Sequence, residues 1–445
     1  MNQCRLSFAF CLVALSIMSA RADHVVEDQS DANRENERPI IIFPYLFSTD
    51  ALDTGVGAIL FRKPIFQPQA SLFVTAYGTS NSSLGLFGGF QNVRIGERLF
   101  FNATIGLMDN DQQRFYGDLA YDINSVPSGS NESDEDDFVF GSGVSQYVHL
   151  TFRYVLPIGA GKDKPVHRYI TRDGLLVDGS TYQSSWDPRI SGRTFVYARP
   201  FYQRRTLEVD AENIGSIPPQ TGLVEGEEVD VSTNGLELGI EYDNRDFSPN
   251  PSQGSRIQLR VARDFGWLES YNSWTSLEFS VSKYWNMGET EHFAQRVFAA
   301  KVWTAYVPTR DTELVAPGIV HVRHRPPSNR GATLGGFERL RGYPSGRFND
   351  KAAIYYGAEL RVIPKWDPFR GWPIIRKMPW RWWQIVGFAE VGRVSPSWDF
   401  GELHEDLKWS AGVGVHIMIG GSVIRFDFAV SEESTQFWVM ARQTF

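Results

Sequence analysis

The amino-acid sequence predicts an all-β protein, and more specifically a transmembrane antiparallel β-barrel of about 16 strands. The main observation is a series of segments of about 9–13 residues in which apolar and polar residues alternate with period two. The second is an N-terminal leader of secretory type, and the third is the aromatic residue Phe445 at the end of the sequence. Together these features favour a barrel of the outer membrane.

The composition excludes two further classes of protein. The 445 residues include 44 Lys and Arg against 52 Asp and Glu, a formal net charge of −8, so nucleic acid is not an expected partner. No run of about 18 apolar residues follows the leader, which excludes a membrane-spanning helix. The 40 glycines and the 14% of aromatic residues suit a large β protein with many turns.

Residues 1–22 are predicted to be a signal peptide that is removed on export. Arg5 provides the positive charge, an apolar stretch follows, and Ala20 and Ala22 form an A-x-A cleavage site. Both cysteines lie inside this leader, so the mature chain is expected to contain none. The expected location is the bacterial outer membrane, as an integral protein.

Two regions follow the leader. Residues 23–51 are predicted to be an acidic, disordered N-terminal segment, and residues 52–445 to be the barrel. A further strand near 166–177 is an open alternative, because 157–193 is long for a connection. The predicted strands are 52–63, 70–79, 83–94, 98–108, 114–122, 146–156, 194–205, 234–244, 254–265, 272–287, 292–307, 353–364, 382–394, 408–419, 422–431 and 436–444.

The two faces of these strands favour a membrane barrel. In the segment 423–431, large apolar residues alternate with Arg425 and Asp427. A polar face of this kind suits a lumen opposite a lipid-facing surface, and a closed sheet satisfies every backbone hydrogen bond within lipid. A secreted soluble β protein of two or more domains is the alternative. The Trp- and Arg-rich stretch 366–383 is read as an interfacial anchor or, equally, as a partner site.

Three motifs carry a resemblance to a known family. The sequence LRGY, formed by Leu340, Arg341, Gly342 and Tyr343, resembles the (V/L/I)-R-G-(F/Y) motif of the BamA/TamA superfamily, also called the bacterial surface antigen family. This superfamily contains outer-membrane insertases and two-partner-secretion translocators. The resemblance implies that the motif lies in a long, lumen-directed loop between strands 11 and 12, where the predicted strands also place it.

The second motif is similar to the family's G-F-x-D-x-G strand and includes Phe388, Glu390 and Gly392. Glu390 replaces the family's Asp, which pairs with the loop arginine, so the resemblance implies a buried lumen pair between Arg341 and Glu390 that holds the loop. A guanidinium and a carboxylate can form two parallel hydrogen bonds.

The third motif resembles the family's Y-D-x-R-D hairpin, and its residues are Asp243, Arg245, Asp246 and Gly254. The C-terminal stretch resembles the assembly signal of outer-membrane barrels. The residues of that predicted signal are Phe437, Val439 and Phe445, which share one parity and are therefore expected on one face.

The resemblance implies protein or lipid insertion or translocation at the outer membrane, with a passive pore for small solutes as the alternative. Only 23–51 precedes the first predicted strand, so we expect a barrel-only member lacking POTRA domains. No G-x-S-x-G elbow is present, and neither an enzyme activity nor a cofactor or metal is expected. The expected partners are outer-membrane lipids and lipopolysaccharide, the barrel-assembly machinery and a separately encoded periplasmic protein.

Overall fold

Sixteen antiparallel strands form a closed barrel, as the sequence predicts. The computed structural model describes residues 27–31, 40–49, 53–117, 120–209, 228–230, 232–268, 273–327, 329–373 and 375–445. The predicted signal peptide, with Ala20 and Ala22, lies outside these residues. In the described part of the chain, no helix has the length and apolar character needed to cross a bilayer.

The barrel strands follow the chain order. They are β1 (Ile40–Thr49), β2 (Asp53–Arg62), β3 (Ser71–Thr79), β4 (Leu84–Arg94), β5 (Leu99–Phe115), β6 (Val139–Val155), β7 (Arg193–Val209), β8 (Thr233–Asp243), β9 (Gly254–Asp264), β10 (Thr275–Asn286), β11 (Phe293–Tyr306), β12 (Ala352–Pro364), β13 (Trp380–Ser395), β14 (Lys408–Ile419), β15 (Ser422–Ser431) and β16 (Thr435–Ala441). Each strand from β1 to β15 pairs antiparallel with the strand that follows it.

The period-two alternation separates an apolar outer face from a polar lumen. On the outside, large apolar side chains are exposed, among them Val56, Leu86, Ile105, Leu259 and Val413. The lumen contains buried ion pairs that link neighbouring or nearby strands: Arg153–Glu241, Arg199–Glu237 and Arg260–Glu278. Charged pairs inside and apolar residues outside are the arrangement that a barrel needs in a bilayer.

Two errors in the predicted strand list cancel in the count of sixteen. The predicted strand 114–122 is not a barrel strand, because β5 continues to Phe115 and Ala120–Asp122 joins a small sheet with two loop strands. The prediction also missed β1, which lies in the segment predicted to be disordered. Three consecutive isoleucines followed by Phe43 and Pro44 conceal the alternation there, although proline is tolerated in strands that border a sheet.

The connection between β6 and β7, residues 156–192, contains two further strands, in the region where the sequence allows an additional one. These strands, His167–Arg172 and Leu175–Asp178, form a three-stranded sheet with Glu27–Asp31 and do not join the barrel. Tyr169 of this sheet packs in one buried cluster with Trp382 of β13, and the Trp382 indole donates to the Gly174 carbonyl at 3.2 Å. We call residues 156–192 the turn-end loop, because they cover the lumen at the end where β12 joins β13.

The first and last strands meet through their side chains. Tyr45 of β1 points inward, since its hydroxyl hydrogen-bonds Thr75 at 2.7 Å within the lumen. Val439 of β16 has the outward parity, because the neighbouring Trp438 points into the lumen and donates to a loop carbonyl. Nevertheless Tyr45 and Val439 belong to one buried cluster, against which Ile424 of β15 also packs. The outer face of the last strands therefore lies against the inner face of the first, and we call this overlap the seam.

Candidate functional site

Residues 307–351 connect β11 to β12, and their LRGY sequence lies inside the barrel. We call this segment the lumen loop. Leu340 is fully buried with a left-handed backbone (φ 51°). Gly342 lies against β15, where an added Cβ would be 2.6 Å from the Val430 carbonyl, so only glycine fits. Its carbonyl accepts hydrogen bonds from Ser431 at 2.9 Å and from Ser434 at 2.7 Å.

Arg341 contacts three different strands from this position. Its Nε lies 3.0 Å from Glu390 Oε1 on β13, and its backbone N–H donates to Glu390 Oε2 at 2.6 Å. Nη2 lies 2.8 Å from Glu359 Oε1 on β12, and Nη1 lies 2.9 Å from Asp427 Oδ2 on β15. The guanidinium also stacks on Phe388, with its carbon 3.4 Å from the ring centroid. One side chain of the loop therefore bonds to three strands of the barrel wall.

Further residues complete a buried cluster of charges, and the formal charges balance. Arg361 binds Glu359 at 2.6 Å, and Arg425 binds Asp427 at 2.8 Å. Three arginines (341, 361 and 425) thus face three carboxylates (359, 390 and 427). All six side chains are almost fully buried. A balanced, hydrogen-bonded set of charges is the form in which ions are tolerated away from water.

Sequence reasoning identified part of this cluster. The structure brings Arg341 and Glu390 together, as the resemblance implies, and Gly392 lies on the same strand as Glu390. Glu359 and Arg361 were missed, although both share the inward parity of Tyr355 in β12, and this parity is the signal that could have found them. Asp427 was noticed only as a lumen charge.

The outer part of the lumen loop is held at the loop end of the barrel, opposite the turn-end loop. The Tyr343 hydroxyl donates to Glu432 at 3.2 Å. Burial, together with the nearby carboxylates of Glu432 and Glu433, raises the pKa of Tyr343, so the hydroxyl keeps its proton. Arg347 pairs with Glu433 at 2.7 Å and donates to Ser133 Oγ at 2.8 Å in the loop between β5 and β6.

The predicted hairpin residues form a compact turn between β8 and β9. Arg245 binds both carboxylate oxygens of Asp243, at 2.9 and 2.8 Å. Asp246 accepts hydrogen bonds from the backbone of Phe247, at 2.9 Å, and of residues 252 and 253. Gly254 has φ 106°, and an added Cβ would lie 2.1 Å from a backbone oxygen. The acidic and glycine residues of this motif therefore fix the turn.

The three residues of the predicted C-terminal signal do not share one face. Phe437 and Val439 share the outward parity of β16, where Phe437 is exposed and Val439 is buried at the seam. The strand ends at Ala441, and Phe445 lies inside the lumen, which differs from the face that the alternation predicts. Its ring is in one buried cluster with Tyr284, Val297 and Ala299 of β10 and β11. The departure begins at Arg442, whose φ of 77° ends the strand.

Comparisons with known proteins agree with this architecture. The family model described as the Omp85 superfamily domain matches residues 197–437, just over half of the chain. No curated protein matches the sequence.

Three solved structures are similar in fold at low sequence identity. CdiB from Escherichia coli has a TM-score of 0.51 at 10% identity over 91% of this chain and 61% of that one. BamA from Haemophilus ducreyi lacking POTRA domains 1–3 has a TM-score of 0.49 at 12% identity, with 91% and 70% covered. CdiB from Acinetobacter baumannii has a TM-score of 0.48 at 12% identity, with 91% and 59% covered. The chain thus spans about six tenths of the two CdiB chains.

Replacing Arg341 should destabilise the barrel strongly. Arg341→Ala leaves three carboxylates without their shared cation, and breaking a buried ion pair in this way costs about 3–5 kcal/mol. Arg341→Lys keeps the charge but cannot reach three strands, so we expect an intermediate loss. The temperature at which the folded band disappears on heat-modifiability gels measures this. Arg323→Ala, which removes an exposed pair with Glu313, is the control and should change little; an equal loss in both would contradict the assignment.

Glu390→Asp should also destabilise the protein, although it restores the residue that the family carries. Both Glu390 oxygens are used: Oε1 by Arg341 and by the Tyr355 hydroxyl at 2.8 Å, and Oε2 by the Arg341 backbone and by Ser410 at 3.2 Å. A side chain shorter by one methylene cannot keep all four contacts. We expect a lower unfolding temperature than wild type, but higher than for Glu390→Ala; an unchanged temperature would show that the pocket adapts freely.

Proposed function

The chain belongs to the Omp85 superfamily, and on that premise we propose that it moves polypeptide across the outer membrane or inserts it there. The resemblance of LRGY and of the Glu390 strand to the BamA/TamA motifs supports the proposal. So does the geometry of the seam, where the barrel closes by apolar overlap between β1 and the last strands. A polypeptide segment could pass sideways from the lumen into lipid most easily at such a place, because each of the other neighbouring strand pairs is joined by a backbone hydrogen-bonded ladder.

The occupied lumen argues against the alternative of a passive pore for small solutes. The lumen loop enters from one end, and the turn-end loop covers the other. The segment that follows β16 also lies in the interior, since Thr444 accepts a hydrogen bond from Arg425 at 2.7 Å. A porin-type lumen is filled with water, whereas loops occupy both ends of this lumen and a buried charge cluster lies inside it.

We propose that the chain is exported by a cleaved signal peptide, that the barrel-assembly machinery inserts it, and that a separately encoded periplasmic protein delivers its clients. No enzymatic activity is proposed for it.

Photo-cross-linking in cells tests the proposed transfer. A benzoylphenylalanine placed at Ile42 or Phe437, both exposed beside the seam, should form adducts with exported polypeptides in transit. The same probe at Leu107 or Leu259, also exposed but on β5 and β9, is the matched control and should label only lipid or neighbouring barrels. Equal adducts at all four positions, or none at the seam under conditions of active export, would contradict transfer through the seam.

Conductance measurements in planar bilayers distinguish a barrel that transfers polypeptides from a passive pore for small solutes. The wild-type barrel should show little steady conductance because both ends are covered. Replacing residues 167–178 by a Gly/Ser linker should leave the conductance small, since the lumen loop still fills the barrel. The same replacement combined with Arg341→Ala should open it. A large, stable conductance in the wild type would instead support the pore.

A further inference from the structure

The segment between β12 and β13 differs in charge from the rest of the chain. Residues 365–379, which we call the basic segment, lead directly into β13. They contain four basic residues and one acid, Asp367, in a protein with a formal net charge of −8. The segment also contains two tryptophans, Trp366 and Trp372. Such a concentration of arginine and tryptophan at the end of two strands calls for a physical explanation.

The basic segment lies on the outer wall of the barrel and not beneath the lumen. Its residues Phe369, Ile375 and Met378 pack in one cluster with Trp383 and Ile417. Trp383 and Ile417 have the outward parity of β13 and β14, opposite to the lumen-facing Gln384 and His416. The segment therefore covers part of the lipid-facing surface at the turn end, where the strands leave the bilayer.

Aromatic contacts and hydrogen bonds hold the basic segment in one conformation. The Trp380 indole donates to Asp367 Oδ2 at 2.7 Å, and the Trp383 indole donates to the Trp366 carbonyl at 2.9 Å. The centroid of the Phe369 ring lies 5.3 Å from that of Trp372 and 5.5 Å from that of Trp383, and both pairs have edge-to-face geometry. These contacts fix the basic segment against the end of β13.

The exposed side chains of the basic segment suit a membrane surface. Trp366 and Trp372 are about half exposed, at 56% and 48%. Arg370 and Arg376 are exposed beside them. The segment's one carboxylate, Asp367, accepts a hydrogen bond from Trp380 and lies 3.9 Å from Arg370 Nε, whose side chain stays 64% exposed. Indole rings favour the headgroup level of a bilayer, and guanidinium groups bind phosphate through paired hydrogen bonds.

We propose that the basic segment binds the phosphate-bearing headgroups of anionic phospholipids at the turn end of the barrel. Charge complementarity and continuity with the lipid-facing wall both point to lipid as the occupant. The site lies beside the seam, because Met378 also packs against the cluster that contains Tyr45 and Val439. In addition, the turn between β14 and β15 contacts Ile41 of β1. A lipid held there is positioned next to the closure of the barrel.

The test compares lipid dependence in nanodiscs of phosphatidylcholine with and without phosphatidylglycerol. The wild type should unfold at a higher temperature in the presence of phosphatidylglycerol, and the difference should shrink in high salt. Arg370→Gln combined with Arg376→Gln should weaken the apparent affinity for phosphatidylglycerol about tenfold. Arg168→Gln combined with Arg172→Gln removes the same charge from exposed positions of the turn-end loop and should keep the wild-type response. An unchanged response in the Arg370/Arg376 variant would overturn the proposal.

Two further measurements exclude other readings. Brominated phosphatidylglycerol should quench the tryptophan fluorescence of the wild type more than that of the variant with Trp366→Phe and Trp372→Phe. Inorganic phosphate added to phosphatidylcholine nanodiscs should not raise the unfolding temperature. If it produces the same rise, the segment is a site for free anions and the assignment to lipid is wrong.

Discussion

The structure depends on how the charge of one buried arginine, Arg341, is compensated by carboxylates. Removing an ion from water costs several kcal/mol even after the protein relaxes, and Arg341 is fully buried. The cost is offset because carboxylates from β12, β13 and β15 each meet a different part of the guanidinium. Those strands must therefore stay in register with one another, and the lumen loop must stay inside, for the cluster to remain neutral and fully bonded. A lysine could not impose this constraint, since it has no planar arrangement of donors.

Much of the fold could be predicted from the sequence because residues of a barrel strand face lipid and lumen in turn, so apolar and polar residues alternate along it. The rule found β14 and β15, where the alternation is strict. It failed at β1, where Pro44 follows consecutive apolar residues, and at residues 114–122, where polar alternation continues beyond the barrel wall. Alternation describes which face a residue takes, and it contains no information on whether its strand joins the barrel.

The charge cluster was predictable only in part, for a different reason. Arg341 and Glu390 lie in motifs that resemble those of a family, so their pairing could be expected. Alternation places Glu359 and Asp427 in the lumen. They are separated from Arg341 by 18 and 86 positions, and alternation does not show which lumen residues contact one another. Phe445 shows the same limitation: continued alternation predicts the outer face, yet the chain turns at Arg442 and the ring joins the lumen.

Hydrogen bonds connect the lumen loop and the charge cluster to the last strand and the residues that follow it. Thr444 accepts hydrogen bonds from Arg341 and Arg425, and the Trp438 indole donates to the Arg341 carbonyl at 2.7 Å. The seam is bordered by the same strand, through Val439. Displacing β16 from β1 consequently disturbs the partners of Arg341, and releasing Arg341 removes two restraints on the end of β16. Because the cluster is buried and balanced, partial release leaves an unpaired charge, which favours two discrete arrangements over gradual loosening.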